Sequence, residues 1–338
     1  MKSHRLTLQV SVYDFFIGVA PHCRYRRAHT CMSYHPGTHR FLSLLLFLLS
    51  VYPSTAQDKP RPATFRTDSQ MVLVPVTVTD HKGKTVNGLR AENFTILDDR
   101  MPQRIVSFSS EDAPCSVGLI LDVSGSMRDT LYAAKEVARA FLAESNPEDE
   151  FFLMTVSTRP EAISGFTTDT ATLLNSVQRI RPDGDTALID TVYAGLHRMH
   201  AAKRPRRALL VLSDGMDNHS RYSKGELMSV AVEADVQIYT ILIDNTPAGK
   251  KPIELMEERR GRILLEDLAE KTGGLHFRAV SMTDANQVAA KVARALRNEY
   301  VIGFQIQTPA ESGKWHRIRV KADVPDTSVY ARNGYYSR

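Results

Sequence analysis

Between residues 115 and 298 the chain alternates apolar runs with amphipathic segments, and this alternation constrains its fold most. The runs at 117–121, 151–156, 207–212 and 236–243 are apolar at nearly every position, as strands buried on both faces are. Helical patterns occupy 131–143, 170–180, 186–200, 224–234, 263–272 and 284–298. Gly273-Gly274 stops the fifth of these, and 275–277 is a short strand. Strand and helix in alternation specify a doubly wound α/β fold, with a mostly parallel sheet and helices on both faces.

Residues 69–112 and 300–338 lack helical patterning. In the first, 71–78 reads as a strand whose Pro75 argues for an edge or a bulge. A turn follows at 80–84, and short strands at 94–97 and 104–108 flank Asp98-Asp99-Arg100. The second holds strands at 300–305, 315–320 and 329–336. Segments of roughly 40–45 residues make poor cores alone. The two are expected to pack into one small β-sandwich, with the α/β domain of residues 113–299 inserted between them.

The formal charge of +5 is misleading. Residues 1–56 hold six of the 43 Lys and Arg and one of the 38 Asp and Glu, which leaves 37 of each elsewhere. This segment has the form of a leader. His39-Arg40 precedes an apolar run at 41–51, and Pro53-Ser54-Thr55-Ala56 supplies a small-residue cleavage site. A start at Met32 would give a leader of ordinary length. Residues 57–68 then form a flexible mature N-terminus. Export to the periplasm, the cell surface or the medium is expected, with membrane contact only transiently through the leader; the alternative is an N-terminal anchor that stays uncut. A neutral mature chain gives no compositional case for nucleic acid. Cys23 and Cys31 fall in the leader, so Cys115 is left without an intramolecular partner and reads as a buried small hydrophobe.

Asp122-Val123-Ser124-Gly125-Ser126 follows the first buried strand, at the carboxyl edge where open α/β sheets place ligand sites. Asp183-Gly184-Asp185-Thr186 runs into a helix with Thr186 at its start, and Ser213-Asp214-Gly215 leaves another buried strand. Asp122, Ser124, Ser126, Thr186 and Asp214 can therefore converge from three loops. Two carboxylates and three hydroxyls suit an octahedral Mg²⁺ or Mn²⁺, with water filling the remainder. The alternative role for Asp122 and Ser126 is capping the helix that follows.

Residues 115–298 resemble a von Willebrand factor type A (VWFA) domain. Asp122, Ser124 and Ser126 match the Asp-x-Ser-x-Ser element of that family's metal-ion-dependent adhesion site, Thr186 its distal threonine and Asp214 its distal aspartate. Residues 88–99 and the Asn333-Gly334-Tyr335-Tyr336 ending resemble bacterial exported VWFA-related proteins, common in acidobacteria. The resemblance implies a non-enzymatic protein-binding or adhesion module, whose ion captures a carboxylate from a protein partner. A hydrolase using the same ion as Lewis acid would need a general base, and no His or Glu falls on the three loops as read from sequence. A scaffold with an unused site is the third possibility.

Other signals carry less. Asp217 and Asn218 read as loop-shaping residues. His197 and His200 lack a third zinc ligand and read as a solvated face. The run Lys203-Arg204-Pro205-Arg206-Arg207 reads as a solvated loop, and residues 246–262 as a charged connection that borders the metal face. There is no phosphate-binding Gly-x-x-x-x-Gly-Lys loop, so nucleotide hydrolysis of that type is excluded. Nor is there a second carboxylate for aspartyl-phosphate chemistry or a nucleophile elbow around Ser213.

Overall fold

Strands rich in Val, Ile and Leu gather where both their faces can leave water, and the structure places them at the centre of the inserted domain. A computed structural model describes residues 71–110, 112–243, 252–306 and 313–337. The leader and residues 57–68 assigned from sequence lie outside the described residues, as do 244–251 of the charged connection.

The chain enters through β1 (Met71–Asp80), β2 (Phe94–Asp98), β3 (Met101–Gln103) and β4 (Ile105–Ser109). Then β5 (Cys115–Asp122), α1 (Leu131–Glu144), β6 (Glu150–Val156), β7 (Glu161–Ala162), α2 (Thr170–Arg179) and α3 (Leu188–Arg198) build one half of the α/β domain. The other half is β8 (Arg206–Ser213), α4 (Lys224–Glu233), β9 (Gln237–Ile243), α5 (Pro252–Thr272), β10 (His276–Ala279) and α6 (Met282–Arg297). The chain returns to strands with β11 (Tyr300–Gln305), β12 (Trp315–Ala322), β13 (Thr327–Ala331) and β14 (Gly334–Tyr336).

The central sheet has the order β10-β9-β8-β5-β6-β7 and is parallel except for the short edge strand β7. Side chains alternate across it. Val117, Leu119 and Leu121 of β5 meet Phe141 of α1, Val177 of α2 and Val292 of α6. Ile120 points the other way, toward Val192 of α3, Leu227 of α4 and Leu268 of α5. Gly118 shares that second face, where a Cβ would collide with Phe152 and Leu209. From β5 the chain winds first to β6 and later returns to β8 on the other side. The boundary between β5 and β8 is therefore the topological switch, where a crevice opens at the carboxyl ends.

The flanking segments pair with each other. β1 runs antiparallel to β11 and β13, giving the sheet β13-β1-β11-β4, and β2 pairs with β12 in the sheet β14-β12-β2-β3. Val74, Val76 and Ile302 of one sheet share a core with Ile96 and Ile318 of the other. Pro75 sits opposite Val301, whereas pairing to β13 begins only at Val76, so the proline occupies a local edge.

Three sequence readings are corrected. Residues 252–262 are helical, because α5 begins at Pro252 rather than near 263. No described side chain before Gly261 is buried, so the segment lacks an apolar stripe, but Glu, Leu, Met and Arg favour helix and Pro suits a first turn. Thr186 does not open α3, which starts at Leu188 with Ala187 as its cap, leaving Thr186 in the loop. Arg206 is not in a solvated loop. It opens β8 and pairs with Glu299 at 2.7 Å, while donating to the carbonyl oxygens of Ala113 and Leu296. Its partner is distant in sequence, so the local basic run concealed its burial. Among the described residues no helix is long and apolar enough to cross a membrane.

Candidate metal centre

Asp122 closes β5 and is fully buried. Its Oδ1 accepts from the Ser124 backbone N–H at 3.0 Å and from Ser124 Oγ at 2.7 Å. Ser124 Oγ in turn lies 3.0 Å from Ser126 Oγ. The oxygens thus run from a buried carboxylate through a buried hydroxyl to an exposed one. The Gly125–Met127 segment is a 3₁₀ turn, and Thr130 rather than Asp122 or Ser126 occupies the N-cap of α1. Capping is therefore not what these side chains do.

The Thr186 loop is tied to this turn by backbone bonds. Gly125 N donates to Gly184 O at 2.9 Å, and Asp183 N to Val123 O at 2.7 Å. Gly184 has φ of +77°, and a Cβ there would meet Thr158 Oγ1 at 2.5 Å, so glycine is needed at this crossing. Thr186 is buried, its N–H donates to Asn218 Oδ1 at 2.9 Å, and its carbonyl accepts from Asn218 and His219. Asp217 Oδ1 accepts from Ile189 N at 3.1 Å. Asp217 and Asn218 thus hold the start of α3 against the Asp214 loop.

Asp214 follows β8, half-buried, with Oδ1 accepting from Met216 N at 3.0 Å. Its predecessor Ser213 was not recognised from sequence. Ser213 Oγ donates to Asp122 Oδ2 at 2.5 Å and accepts from Gly215 N at 2.9 Å, joining the two carboxylate loops. The available signal was its position at a strand end beside Asp214. Gly215 has φ of +82°, and a Cβ there would stand 2.7 Å from the Gly261 backbone of α5. Burial, and then the nearby Asp214 carboxylate, push the Asp122 carboxyl up to about 7. The Ser213 and Ser124 bonds oppose that rise without cancelling it.

One sequence reading of this face needs correction. A histidine does border the loops: His219 Nδ1 lies 3.7 Å from Asp185 Oδ2, both residues being well exposed. The fold, not local spacing, brings it beside Thr186. His197 and His200 pack their rings against each other on an exposed face.

The central domain is a mostly parallel sheet flanked by helices, a fold like that of von Willebrand factor type A domains, accompanied here by two antiparallel sheets. The family model described as a von Willebrand factor type A domain matches residues 117–216. Solved structures with similar folds include a von Willebrand factor type A protein from Catenulispora acidiphila, at 13% identity over 80% of this chain and 75% of that one, TM-score 0.45. BatB from Bacteroides thetaiotaomicron is similar at 15% identity over 54% of this chain and 98% of that one, TM-score 0.41. Proximal thread matrix protein 1 of the mussel byssus, with a zinc-occupied adhesion motif, is similar at 16% identity over 60% and 50%, TM-score 0.44. No curated protein sequence matches significantly.

Proposed function

We propose that the chain is an exported, non-enzymatic binding module that uses Mg²⁺ or Mn²⁺ at the carboxyl edge of the central sheet to capture a carboxylate on a protein partner. One observation carries this reading. Asp122, Ser124 and Ser126 form a hydrogen-bonded oxygen array at the topological switch, and loop ties bring the segments bearing Thr186 and Asp214 to it. The donor set is all oxygen, as a hard cation requires. The raised Asp122 carboxyl fits the same reading, since a buried carboxylate beside a second one lacks a compensating charge. When bound, the ion supplies an electrophilic open position for an exogenous carboxylate. Asp122 and Asp214 would balance its charge, and the hydroxyls of Ser124, Ser126 and Thr186 would complete the protein's share of the shell. The proposal of export rests on residues 39–56 and on the resemblance of residues 88–99 and 333–336 to exported VWFA-related proteins.

Calorimetry of the chelator-stripped full chain tests the site. Mg²⁺ or Mn²⁺ heats are expected for the native chain and not for Asp122→Ala; equal heats for both overturn the assignment. Retention of an envelope protein in Mg²⁺, with release by chelator and loss in Asp122→Ala, tests partner capture.

His219 gives a specific footing to the second reading, a metal-assisted hydrolase in which this exposed imidazole, 3.7 Å from Asp185 Oδ2, is the base. Turnover of phosphatase or peptidase substrates that needs Mg²⁺, Asp122 and His219 together would replace the binding-module reading.

A further inference from the structure

The β-sandwich carries a second cluster of ligand-type side chains, none of them on the three loops of the Asp122 site. β2 ends at Asp98, Asp99 and Arg100 turn the chain into β3, and β12 brings His316 alongside. His316 Nδ1 lies 3.1 Å from Asp99 Oδ2 and 3.7 Å from Asp98 Oδ1. One donor atom from each residue falls within 4.8 Å of the others, and among the described residues no other trio of His, Cys, Asp or Glu converges in this way. Donors bound to one cation at about 2.0–2.2 Å stand roughly 3–4 Å apart, a range that holds both His316 Nδ1 contacts.

A second observation points to a ligand. Asp98 is only 8% exposed, and its Oδ1, the atom facing His316, accepts no hydrogen bond among the described residues. A buried carboxylate oxygen without a donor is costly, and a cation between it and Nδ1 would satisfy it. Nε2 of His316 is also buried without a hydrogen-bond partner, so the ring's polar contacts run through Nδ1 toward the carboxylates. The three side chains are held from behind, through atoms that do not face the cluster. Tyr335 Oη donates to Asp98 Oδ2 at 3.1 Å, the Tyr335 ring stacks on His316 at 5.1 Å, and Arg317 N donates to Asp99 Oδ1 at 2.9 Å. An entry route exists, because Asp99 is half-exposed and lines a cavity of about 430 Å³ with Arg100, Trp315 and Arg317.

We infer that Asp98, Asp99 and His316 form a second divalent-cation site, for a zinc-class first-row ion rather than Mg²⁺. The imidazole nitrogen sets this preference, since Mg²⁺ favours oxygen donors and water. The inference is independent of the binding-module reading.

The test uses the chelator-stripped full chain carrying Asp122→Ala, titrated with Co²⁺ in excess Mg²⁺. The expected result is one Co²⁺ per chain with a visible d–d band, displaced by Zn²⁺. Adding Asp99→Asn or His316→Gln should weaken Co²⁺ uptake by roughly tenfold or more. Asp99→Asn retains the Oδ1 acceptor for Arg317 N and alters a half-exposed side chain, so it stays informative if His316→Gln fails to fold. Absence of Co²⁺ binding in the Asp122→Ala chain, or unchanged binding after Asp99→Asn, overturns the second site. The separate Mg²⁺ calorimetry on Asp122 reports the first site alone.

Discussion

Ser213 shows how much of the candidate site depends on one hydroxyl outside the motif. It holds Asp122 Oδ2 at 2.5 Å, fixing the carboxylate that the Ser124 bonds orient from the other side. Ser213→Ala frees that oxygen, and groups that orient a metal ligand typically contribute 10–100-fold in affinity. Mg²⁺ affinity by calorimetry is therefore expected to fall by about tenfold, and the metal-free chain to lose about 1–3 kcal/mol in urea unfolding, because a buried carboxylate oxygen loses its donor. The motif Asp-x-Ser-x-Ser was legible because its three side chains share one turn and need no distant partner. Ser213 was not, because its role follows from the register that pairs Leu121 with Leu212 and so sets β8's end beside Asp122. His219 escaped for the same reason: only the fold places it against Thr186 and Asp185.

Helix α5 gives the corresponding case among the elements. Its buried stripe starts at Gly261, where the helix backbone meets the Gly215 backbone in the Asp214 loop. A sequence reading based on apolar periodicity therefore found only the second half, and took the propensity-driven first half for a connection. Gly261 also sets two principles in opposition. In an exposed helix interior, replacing Gly by Ala stabilises by about 1 kcal/mol. At this crossing the new methyl would fall on the Gly215 carbonyl oxygen, and overpacking costs about 1–3 kcal/mol. Gly261→Ala is expected to lower the urea midpoint and to weaken Mg²⁺ binding, because the displaced loop carries Asp214. A raised midpoint with unchanged affinity would show that the contact does not constrain the loop.

Across the whole molecule, the buried Arg206–Glu299 pair joins the start of β8 to the exit of the inserted domain. Glu299 is 2% exposed and also accepts from Gln237 Nε2 on β9, and Arg206 is bonded to carbonyls on both sides. Removing one partner from such a pair leaves an uncompensated buried charge. Glu299→Ala should cost about 3–5 kcal/mol in urea unfolding, whereas the double change Arg206→Met with Glu299→Leu should recover most of it. If the single and double variants unfold alike, the pair is not the junction's main polar bond.

The sequence alone determined the doubly wound core, because strands buried on both faces need unbroken apolar runs that no solvent-facing segment would carry. It also set out five oxygen-bearing residues at three strand or loop ends, because Asp, Ser and Thr favour turns and stand out against the apolar strands beside them. Tertiary structure decided what depends on neighbours distant along the chain. It put β1 between β11 and β13, made Arg206 a buried ion pair instead of a solvated charge, and set His316 against Asp98 and Asp99. Local patterning records how much water a segment avoids. Which segment it meets when it does so is settled only when the sheets close.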